Sequence, residues 1–485
     1  MNKRVFGIET EFGCMTDTER IRGTSEGVAA RVRDYVFDVL EFGLRDIHYR
    51  DWGEPPGNGG FLYNGGRLYI DMGHLEYATP ECATLFDLVA YDKAIERIIN
   101  NILTETGLPT AFFKNNIDHF TGATFGCHEN FQVSREVPFY RVVIPTLLPF
   151  FVTRQIYAGA GRVGVYDEMV EFGTQDVLEG QQELAEPQHY QISQRADHIV
   201  TEIYEWIQFS RAIINTRDEP LSDYTKYRRL HLLVGDSNMS EYATALKVGA
   251  TSLLLSAIET FYEMHGEKLP LPAFELADPV YAIRHVSRDN TFKWRIELKS
   301  GKTIAAVDLQ REYLNFVQNF ITEHDEESQW ILSAWESILD DLDKDWERVI
   351  PRVDWAAKKW LLETFIAEEK LDWDDPWIKS QDLEYHNIHT ESGLYYALQA
   401  HGQMARVVTD EQIEYAIDNA PQDTRAKVRS FLMRTLTQNQ MPCIVDWHQI
   451  YAGHTEYFEM KEPLDTNIAK AQRWIKRLRK RPLRN

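Results

Sequence analysis

Arg67, Tyr69 and Asp71 alternate with apolar residues in the run Gly-Arg-Leu-Tyr-Ile-Asp-Met over 66–72. Because successive side chains of a β-strand point to opposite faces, these three polar groups share one face and the apolar residues share the other. A guanidinium, a phenol and a carboxylate in a row suit a substrate-binding face better than a core face. The sequence therefore predicts a strand here whose polar face does chemistry.

The same alternation opens the chain, where Glu9 and Glu11 fall opposite Phe6 and Ile8. Two strands that carry carboxylates on one face could converge on hard cations and on phosphates. The alternative is a pair of antiparallel strands with one face in solvent, and alternation alone leaves both interpretations open.

Composition limits the classes of function. The chain has 485 residues, is 44% hydrophobic and carries a net charge of −23. It is long enough for a large core and for two to four domains, although large sheet enzymes can form one. The charge argues against a nucleic-acid or anionic-membrane binder, and no apolar run is long enough to span a bilayer. The N-terminus does not resemble a signal peptide. Four widely spaced cysteines without a C-x-x-C pair indicate free thiols and a cytoplasmic protein.

Periodicity and turn residues predict the elements that position these side chains. The predicted helices are Ser25–Leu44, Asp87–Thr106, Ala196–Phe209, Tyr242–His265, Glu327–Lys344 and Asp354–Lys370, and the predicted strands include Ala111–Lys114 and His128–Val133. In the last of these, His128, Asn130 and Gln132 share a face. The Gly- and Pro-rich run 53–60 is a predicted loop and a candidate lid, and the acidic run 167–187 is a predicted surface excursion. The pattern indicates an α+β fold with a sheet backed by helices.

A change in the sequence pattern after residue 403 predicts two domains, a large one over 1–403 and a small C-terminal α/β domain over 404–485. The small domain is predicted to hold a strand at Ile444–Trp447 and to end in a basic helix over Lys470–Arg484. The two interpretations of that helix are that it binds an acidic partner or that it is a tail exposed to solvent. The tryptophans of the predicted helices Glu327–Lys344 and Asp354–Lys370 are predicted to be core residues.

Other motifs in the sequence give weaker evidence of function. Residues 159–164 fit G-x-G-x-x-G, but the flanking sequence does not form a βαβ unit, so a glycine-permitted turn is favoured over dinucleotide binding. Arg217, Arg228 and Arg229 could neutralise phosphates, with Asp236 and Glu241 as balancing charges or metal ligands. Structural ion pairs explain these five residues equally well. The sequence contains no P-loop, H-E-x-x-H or G-x-S-x-G motif.

A set of strings resembles the Pup ligase and depupylase family almost from end to end. These strings are GIETEFG at 7–13, NGGRLYID at 64–71, EYAT at 76–79, KNN at 114–116, GCHEN at 126–130, 214–220, 227–231, 235–238, DLEYH at 382–386 and VDW at 445–447. The resemblance implies an ATP-dependent fold related to glutamine synthetase, in which a curved antiparallel sheet forms a cradle for ATP and Mg²⁺. A small C-terminal domain closes the site. The partner implied is Pup, a small ubiquitin-like protein of the proteasome pathway, together with lysine-bearing target proteins.

The resemblance also implies roles for residues at matched positions. Glu9, Tyr69 and Glu76 fall where the family holds magnesium, and Asp71 falls at the essential catalytic aspartate. The positions that contact nucleotide are Arg67, Thr79 and Trp447. Magnesium prefers oxygen ligands, a developing acyl phosphate needs cations, and an attacking lysine must lose a proton, so these residue types suit the roles.

The family has two activities, and the strings divide between them. The ligase phosphorylates the side-chain carboxyl of the C-terminal glutamate of Pup and joins it to a lysine; the depupylase hydrolyses that isopeptide bond or deamidates a C-terminal glutamine. Cys127, Ser237 and Met239 look ligase-like, whereas the short link from Asp71 to Glu76 looks depupylase-like. We favour the ligase. The alternatives are the depupylase and a catalytically silent binding module, against which intact Glu9, Asp71 and Glu76 argue.

Overall fold

The computed structural model describes residues 3–17, 24–49, 54–118, 122–164, 189–206, 211–321, 325–453 and 456–480. The predicted excursion over 167–187 lies outside these ranges. Among the described residues, no helix is both long and apolar enough to cross a membrane.

One large sheet carries the polar strands. The strands of the chain are β1 (Phe6–Thr16), β2 (Gly43–Arg45), β3 (Gly59–Leu62), β4 (Arg67–Asp71), β5 (His74–Ala78), β6 (Thr110–Phe113), β7 (Cys127–Ser134), β8 (Arg162–Val163), β9 (Tyr190–Gln191), β10 (Thr201–Tyr204), β11 (Ala212–Asn215), β12 (Tyr227–Leu232), β13 (Arg295–Glu297), β14 (Thr303–Ala305), β15 (Cys443–Val445), β16 (Gln449–Ala452) and β17 (Glu456–Glu459). Ten of them form the sheet β10-β11-β12-β7-β1-β5-β4-β3-β2, with β6 on the far end of β1. Its pairs are antiparallel except for the parallel pair β10 and β11.

Helices supply the layer behind the sheet and the rest of the core. They are α1 (Ser25–Asp34), α2 (Leu85–Thr106), α3 (Ile144–Ala158), α4 (Glu241–His265), α5 (Pro279–Arg288), α6 (Ala306–Phe320), α7 (Glu326–Lys344), α8 (Asp354–Glu369), α9 (Pro376–Glu384), α10 (Leu394–Ala400), α11 (Asp410–Asp418), α12 (Ala426–Gln438) and α13 (Ile468–Leu478). The apolar face of the sheet and helices α2, α3 and α4 share one core, to which Phe6 and Ile8 of β1 contribute. The predicted α+β class is confirmed.

Most predicted elements are confirmed, with shifted ends. Helix α1 continues into a π-helical turn and the chain then enters β2, so the predicted helix over Ser25–Leu44 is too long. The predicted helix over Ala196–Phe209 is wrong in its described part, which is a 3-10 turn followed by strand β10. Thr201 and Ile203 are β-branched, and the parallel pairing of β10 with β11 decides their conformation. Trp335 and Trp355 are fully buried, as predicted for core residues.

The C-terminal residues build a separate core from α12, α13 and the three-stranded sheet β15-β16-β17. Helix α11 belongs elsewhere: Ile413 and Ala416 lie in the main core, and Arg97 of α2 forms ion pairs with Asp410 and Glu414. The domain boundary between 403 and 404 stays a prediction, and the packing favours a division after α11.

Candidate active site

Strand register brings the predicted site residues onto one face of the sheet. Glu11 of β1 lies opposite Glu76 of β5, and Glu76 lies opposite Tyr69 of β4. Two residues farther along the strands, on the same face of the sheet, Ala78 of β5 lies between Glu9 of β1 and Arg67 of β4. Because β1, β5 and β4 are neighbours in the sheet, the polar side chains that alternate along each strand lie together on one face.

Asp71 owes its position to a tight hairpin. It pairs with His74, and the two residues between them, Met72 and Gly73, have φ values of 45° and 93°. Two successive positive φ values are typical of the two-residue turns that join antiparallel strands. The positive φ therefore favours glycine at position 73, and a Cβ atom there would also lie 2.9 Å from the side chain of Glu26 of α1. The short link between Asp71 and Glu76 is therefore one hairpin turn.

Glu11, Asp71 and Glu76 form a cluster whose carboxylate oxygens lie within 4.8 Å of one another. Burial, followed by the charges of Glu11, Glu9 and Asp71, raises the pKa of Glu76 well above its usual range. Burial and the charge of Glu11 raise the pKa of Asp71 to about 6. The Tyr69 hydroxyl donates a 2.6 Å hydrogen bond to Glu76. Crowded carboxylates of this kind are electrostatically unfavourable alone and become favourable around a divalent cation, so the donor set fits magnesium.

A second cluster was not predicted and lies beside the first. Glu9, His128 and His231 offer ligand atoms within 4.8 Å of one another. The Glu9 oxygen Oε2 is 3.3 Å from His128 Nδ1 and 3.6 Å from His231 Nε2, and its partner Oε1 accepts a 3.0 Å hydrogen bond from Asn130. His231 is buried, and within the described chain neither of its ring nitrogens has a hydrogen-bond partner. Burial and the charge of Arg229 lower the pKa of His231 to about 4, which favours the neutral form that binds metals.

Arg67 is held by acidic groups from outside β4. Its Nη2 atom lies 2.7 Å from Glu54 and 3.2 Å from Asp46, and its guanidinium stacks over the Tyr69 ring at 4.3 Å. Burial alone would lower the pKa of this guanidinium, but Glu54 and Asp46 raise it, so Arg67 is charged. These two partners, which lie in the segment between β2 and β3, were not predicted from the sequence.

A cleft opens between the sheet and the C-terminal core. Its lining includes Glu9, Thr79, Arg229 and Trp447, but not Arg67. Trp447 packs edge-on against Phe61 of β3, with ring centroids 4.9 Å apart. Two of the predicted nucleotide contacts, Thr79 and Trp447, thus face a common space, and Glu9 connects that space to the histidine cluster. Thr79 also has a structural role, because its hydroxyl accepts a 3.1 Å hydrogen bond from the Ile8 amide.

The other predicted clusters are largely structural. Arg217 pairs with Glu219 and Arg228 pairs with Asp218, and both Arg228 and Arg229 line the cleft. Asp236 and Glu241 are buried away from the carboxylates of β1 and β5. Asp236 accepts hydrogen bonds from Ala160, Ser193, Gln194 and Arg195, and Glu241 accepts them from Arg406, Val407 and Val408.

The glycines of 159–164 form a turn, as favoured. This segment leaves α3 and enters the short strand β8, and Gly161 has a φ of 72°. A side chain at Gly159 would come within 2.1 Å of the Ile192 carbonyl oxygen. Close packing against the neighbouring backbone explains why these positions are glycines. A role in dinucleotide binding is not needed to explain them.

The comparisons with known proteins agree with this geometry. The family model described as "Pup-ligase protein" matches residues 4–451. The chain belongs to the Pup-ligase family. Among curated proteins, the Pup--protein ligase of Paenarthrobacter aurescens is 37% identical over 461 residues, covering 92% of each chain. That of Actinosynnema mirum is 38% identical over 462 residues, covering 92% of this chain and 93% of the relative.

Solved structures of the Pup-ligase family share the fold. The Pup ligase PafA in complex with Pup has a TM-score of 0.81 at 32% identity, with 98% of this chain and 91% of that one covered. PafA in complex with ADP has a TM-score of 0.76 at 32% identity, with 93% and 94% covered. Family membership was predicted from short strings, and the match now extends over the sheet, the helical layer and the C-terminal core.

Proposed function

We propose that this protein is an ATP-dependent ligase that joins the C-terminal glutamate of Pup to lysines of target proteins. The observation that carries the proposal is the pair of clusters on β1, β4, β5, β7 and β12, one of three carboxylates and one of a carboxylate with two histidines, beside a cleft that reaches Trp447. The name Pup--protein ligase on the curated relatives and the complexes of PafA with ADP and with Pup support the same activity. They favour the ligase over the depupylase and over a silent binding module.

Ligation needs an activated carboxyl group, because joining a carboxylate to an amine in water is unfavourable. The γ-phosphoryl group of ATP passes to the side-chain carboxyl of the glutamate, the target lysine then attacks the acyl phosphate, and phosphate leaves as the isopeptide bond forms. The lysine must lose its proton to attack. We assign that proton to Asp71, whose carboxylate stands at the rim of the cluster where a substrate amine has access.

We assign magnesium to the two clusters, with Glu9 and Glu76 as one ligand from each. Glu11 offers a further carboxylate to the cluster of Glu76, whereas His128 and His231 lie against Glu9 Oε2 and orient that carboxylate. When bound, magnesium supplies positive charge that neutralises phosphate oxygens. Tyr69, predicted as a ligand, donates its hydroxyl proton to Glu76, so we propose that it orients that carboxylate, either beside the metal or as a direct oxygen ligand.

The nucleotide is assigned to the cleft, with Trp447 and Thr79 on its walls and Arg229 as a cation near Glu9. Arg67 is proposed to act from the same face of the sheet as a fixed positive charge, because Asp46 and Glu54 hold its guanidinium in place. The four cysteines are free thiols, which suits the cytoplasm that we propose as the compartment.

One assay tests the proposal. The protein is incubated with ATP, magnesium, a lysine-bearing target and Pup ending in glutamate, and the products are read by mass spectrometry. We expect target lysines modified through the glutamate side chain. Cleavage of a preformed Pup conjugate without new conjugation would favour the depupylase, and no covalent change at all would favour a binding module.

A further inference from the structure

One carboxylate and two arginines connect the sheet to the C-terminal core. Glu81 lies three residues beyond β5, Arg425 directly precedes α12, and Arg429 lies within that helix. Arg425 donates from Nε to Glu81 Oε1 over 2.7 Å. Arg429 donates from Nη1 to the same oxygen over 3.0 Å and from Nη2 to Glu81 Oε2 over 2.5 Å. We call these three residues the clasp.

The clasp is buried in the protein. The side chains of Arg429, Arg425 and Glu81 expose 0%, 4% and 11% of their surface. Burial would raise the pKa of Glu81, but the two guanidinium groups lower it to about 2. The carboxylate is therefore charged at any pH near neutrality, and its contribution to stability is lost only as the pH falls toward that value. The clasp is a permanent ionic connection.

Arg429 also holds the segment that carries Trp447. Its Nη1 atom donates to the Trp447 carbonyl oxygen over 2.9 Å, and its guanidinium carbon lies 4.9 Å from the Trp447 ring centroid. Its Nη2 atom donates to the Gly65 carbonyl oxygen over 2.7 Å, just before β4. A single planar group thus touches Trp447, the β3–β4 turn and Glu81.

Arg425 extends the connection to the other side of the cleft. Its Nη1 atom donates to the carbonyl oxygens of Leu221 and Met460 over 2.7 and 2.9 Å. Glu81, Arg425, Leu221 and Trp447 all line the cleft that we assign to the nucleotide. The clasp thus joins three of the chain segments that line the cleft: the segment of Glu81 after β5, the segment of Leu221, and the segment of Trp447.

On the basis of the proposed function, we infer that Glu81, Arg425 and Arg429 are positioning residues for the nucleotide. They act through Trp447, by fixing its distance from the sheet and so the shape of the cleft. An apolar contact could hold the two parts together as firmly, because a buried ion pair contributes little net stability. The guanidinium fork adds direction: it fixes the angle and the spacing of the groups that it joins.

The test compares Arg429→Lys and Glu81→Gln with the control Glu414→Gln. Lysine keeps the charge of Arg429 but not its planar fork, and glutamine keeps the shape of Glu81 but not its charge. Glu414 pairs with Arg97 between α11 and α2, outside the cleft lining. Each variant is measured for hydrogen exchange over residues 443–452 without nucleotide, for ADP affinity, and for kcat and KM with ATP.

We expect Arg429→Lys and Glu81→Gln to speed exchange over 443–452 and to weaken ADP binding by about tenfold or more. The KM for ATP should rise while kcat at saturating ATP stays within about threefold, because the reacting groups on β4 and β5 are untouched. Glu414→Gln should match the wild type in every measurement.

Wild-type ADP affinity and wild-type exchange over 443–452 in both clasp variants would overturn the inference. So would a uniform increase in exchange over the whole chain with unchanged ADP affinity of the folded protein, since that would show a role in stability only. A wild-type protein that binds ADP but forms no Pup conjugate would contradict the proposed function while leaving the clasp result valid.

Discussion

At the scale of single residues, the site places like charges beside one another. Three carboxylates, those of Glu11, Asp71 and Glu76, meet in one cluster, whereas Glu9 lies against two histidines in the other. The three carboxylates are costly to bury together without a cation, and the raised pKa of Glu76 is a direct consequence. Burial would raise the pKa of Glu9, but His128 and His231 lower it. The arrangement makes sense for a protein that binds phosphates and metal together, because the cations then supply the missing positive charge.

Asp71→Asn is expected to abolish ligation but to preserve nucleotide binding. The amide keeps the size of the side chain and loses the ability to accept a proton from the attacking lysine. Loss of a general base lowers the rate by a factor of about 10² to 10⁴. We therefore expect the rate of conjugation, measured by mass spectrometry, to fall by a factor of about 10² or more. The ADP affinity should stay near the wild-type value. The control is Asp308→Asn, an exposed position on α6. Conjugation within a few-fold of the wild type would remove Asp71 from the mechanism.

Removal of a side chain from either cluster should raise the magnesium requirement. We expect Glu9→Ala, Glu76→Ala and His231→Ala each to need more magnesium for half-maximal activity, by about tenfold or more, and to react more slowly at saturation. His401→Ala is the matched control, because His401 is an exposed residue that ends α10. Identical magnesium titrations for the three variants and the wild type would show that the metal is held elsewhere.

At the scale of elements, the β4–β5 hairpin sets the distance between Asp71 and Glu76. Its two turn residues have positive φ, and α1 packs close enough to contact any side chain added at Gly73. The hairpin is thus fixed from two directions, by its own backbone and by a helix that arrives from an earlier part of the chain. Helix α1 is therefore part of the support of the site.

Gly73→Ala tests this support. A Cβ atom at φ 93° is strained and would also displace Glu26, so we expect a loss of about 1 to 3 kcal/mol in the free energy of unfolding and a clear fall in kcat. Gly107→Ala is the control: its φ is 63°, and no atom of the described chain lies within 4 Å of the added Cβ. Chemical denaturation and conjugation rates measure both effects. If the two variants lose equal stability and neither loses kcat, the hairpin geometry does not limit the reaction.

Elements also show what the sequence could and could not predict. The faces of β1, β4 and β7 followed from alternation within single strands, and Glu9, Asp71 and His128 were placed correctly on them. The cluster of Glu9, His128 and His231 could not be predicted in this way, because it depends on the order β12-β7-β1. One signal was present: His128 and Asn130 share a face of β7, and His231 lies opposite Asn130. The strand β10 was mistaken for a helix because its conformation comes from pairing with β11.

At the scale of the whole molecule, the nucleotide cleft belongs to neither core alone. Short local strings predicted the family, and the family implied that Trp447 meets the sheet. The contacts that bring it there join Glu81 to Arg425 and Arg429, across more than three hundred positions of sequence. No local pattern marks such a pair, since isolated charged residues on a helix resemble solvated surface.

We propose that this protein consumes ATP to make an isopeptide bond. The most direct measurement is the ratio of ADP released to Pup conjugate formed, with purified protein, magnesium, a lysine-bearing target and Pup ending in glutamate. We predict one ADP per bond, because each activated carboxyl is used once. A depupylase needs no such turnover, since hydrolysis of the bond is already favourable. Catalytic cleavage of a Pup conjugate without matching ADP release, and with no conjugate formed, would contradict the account.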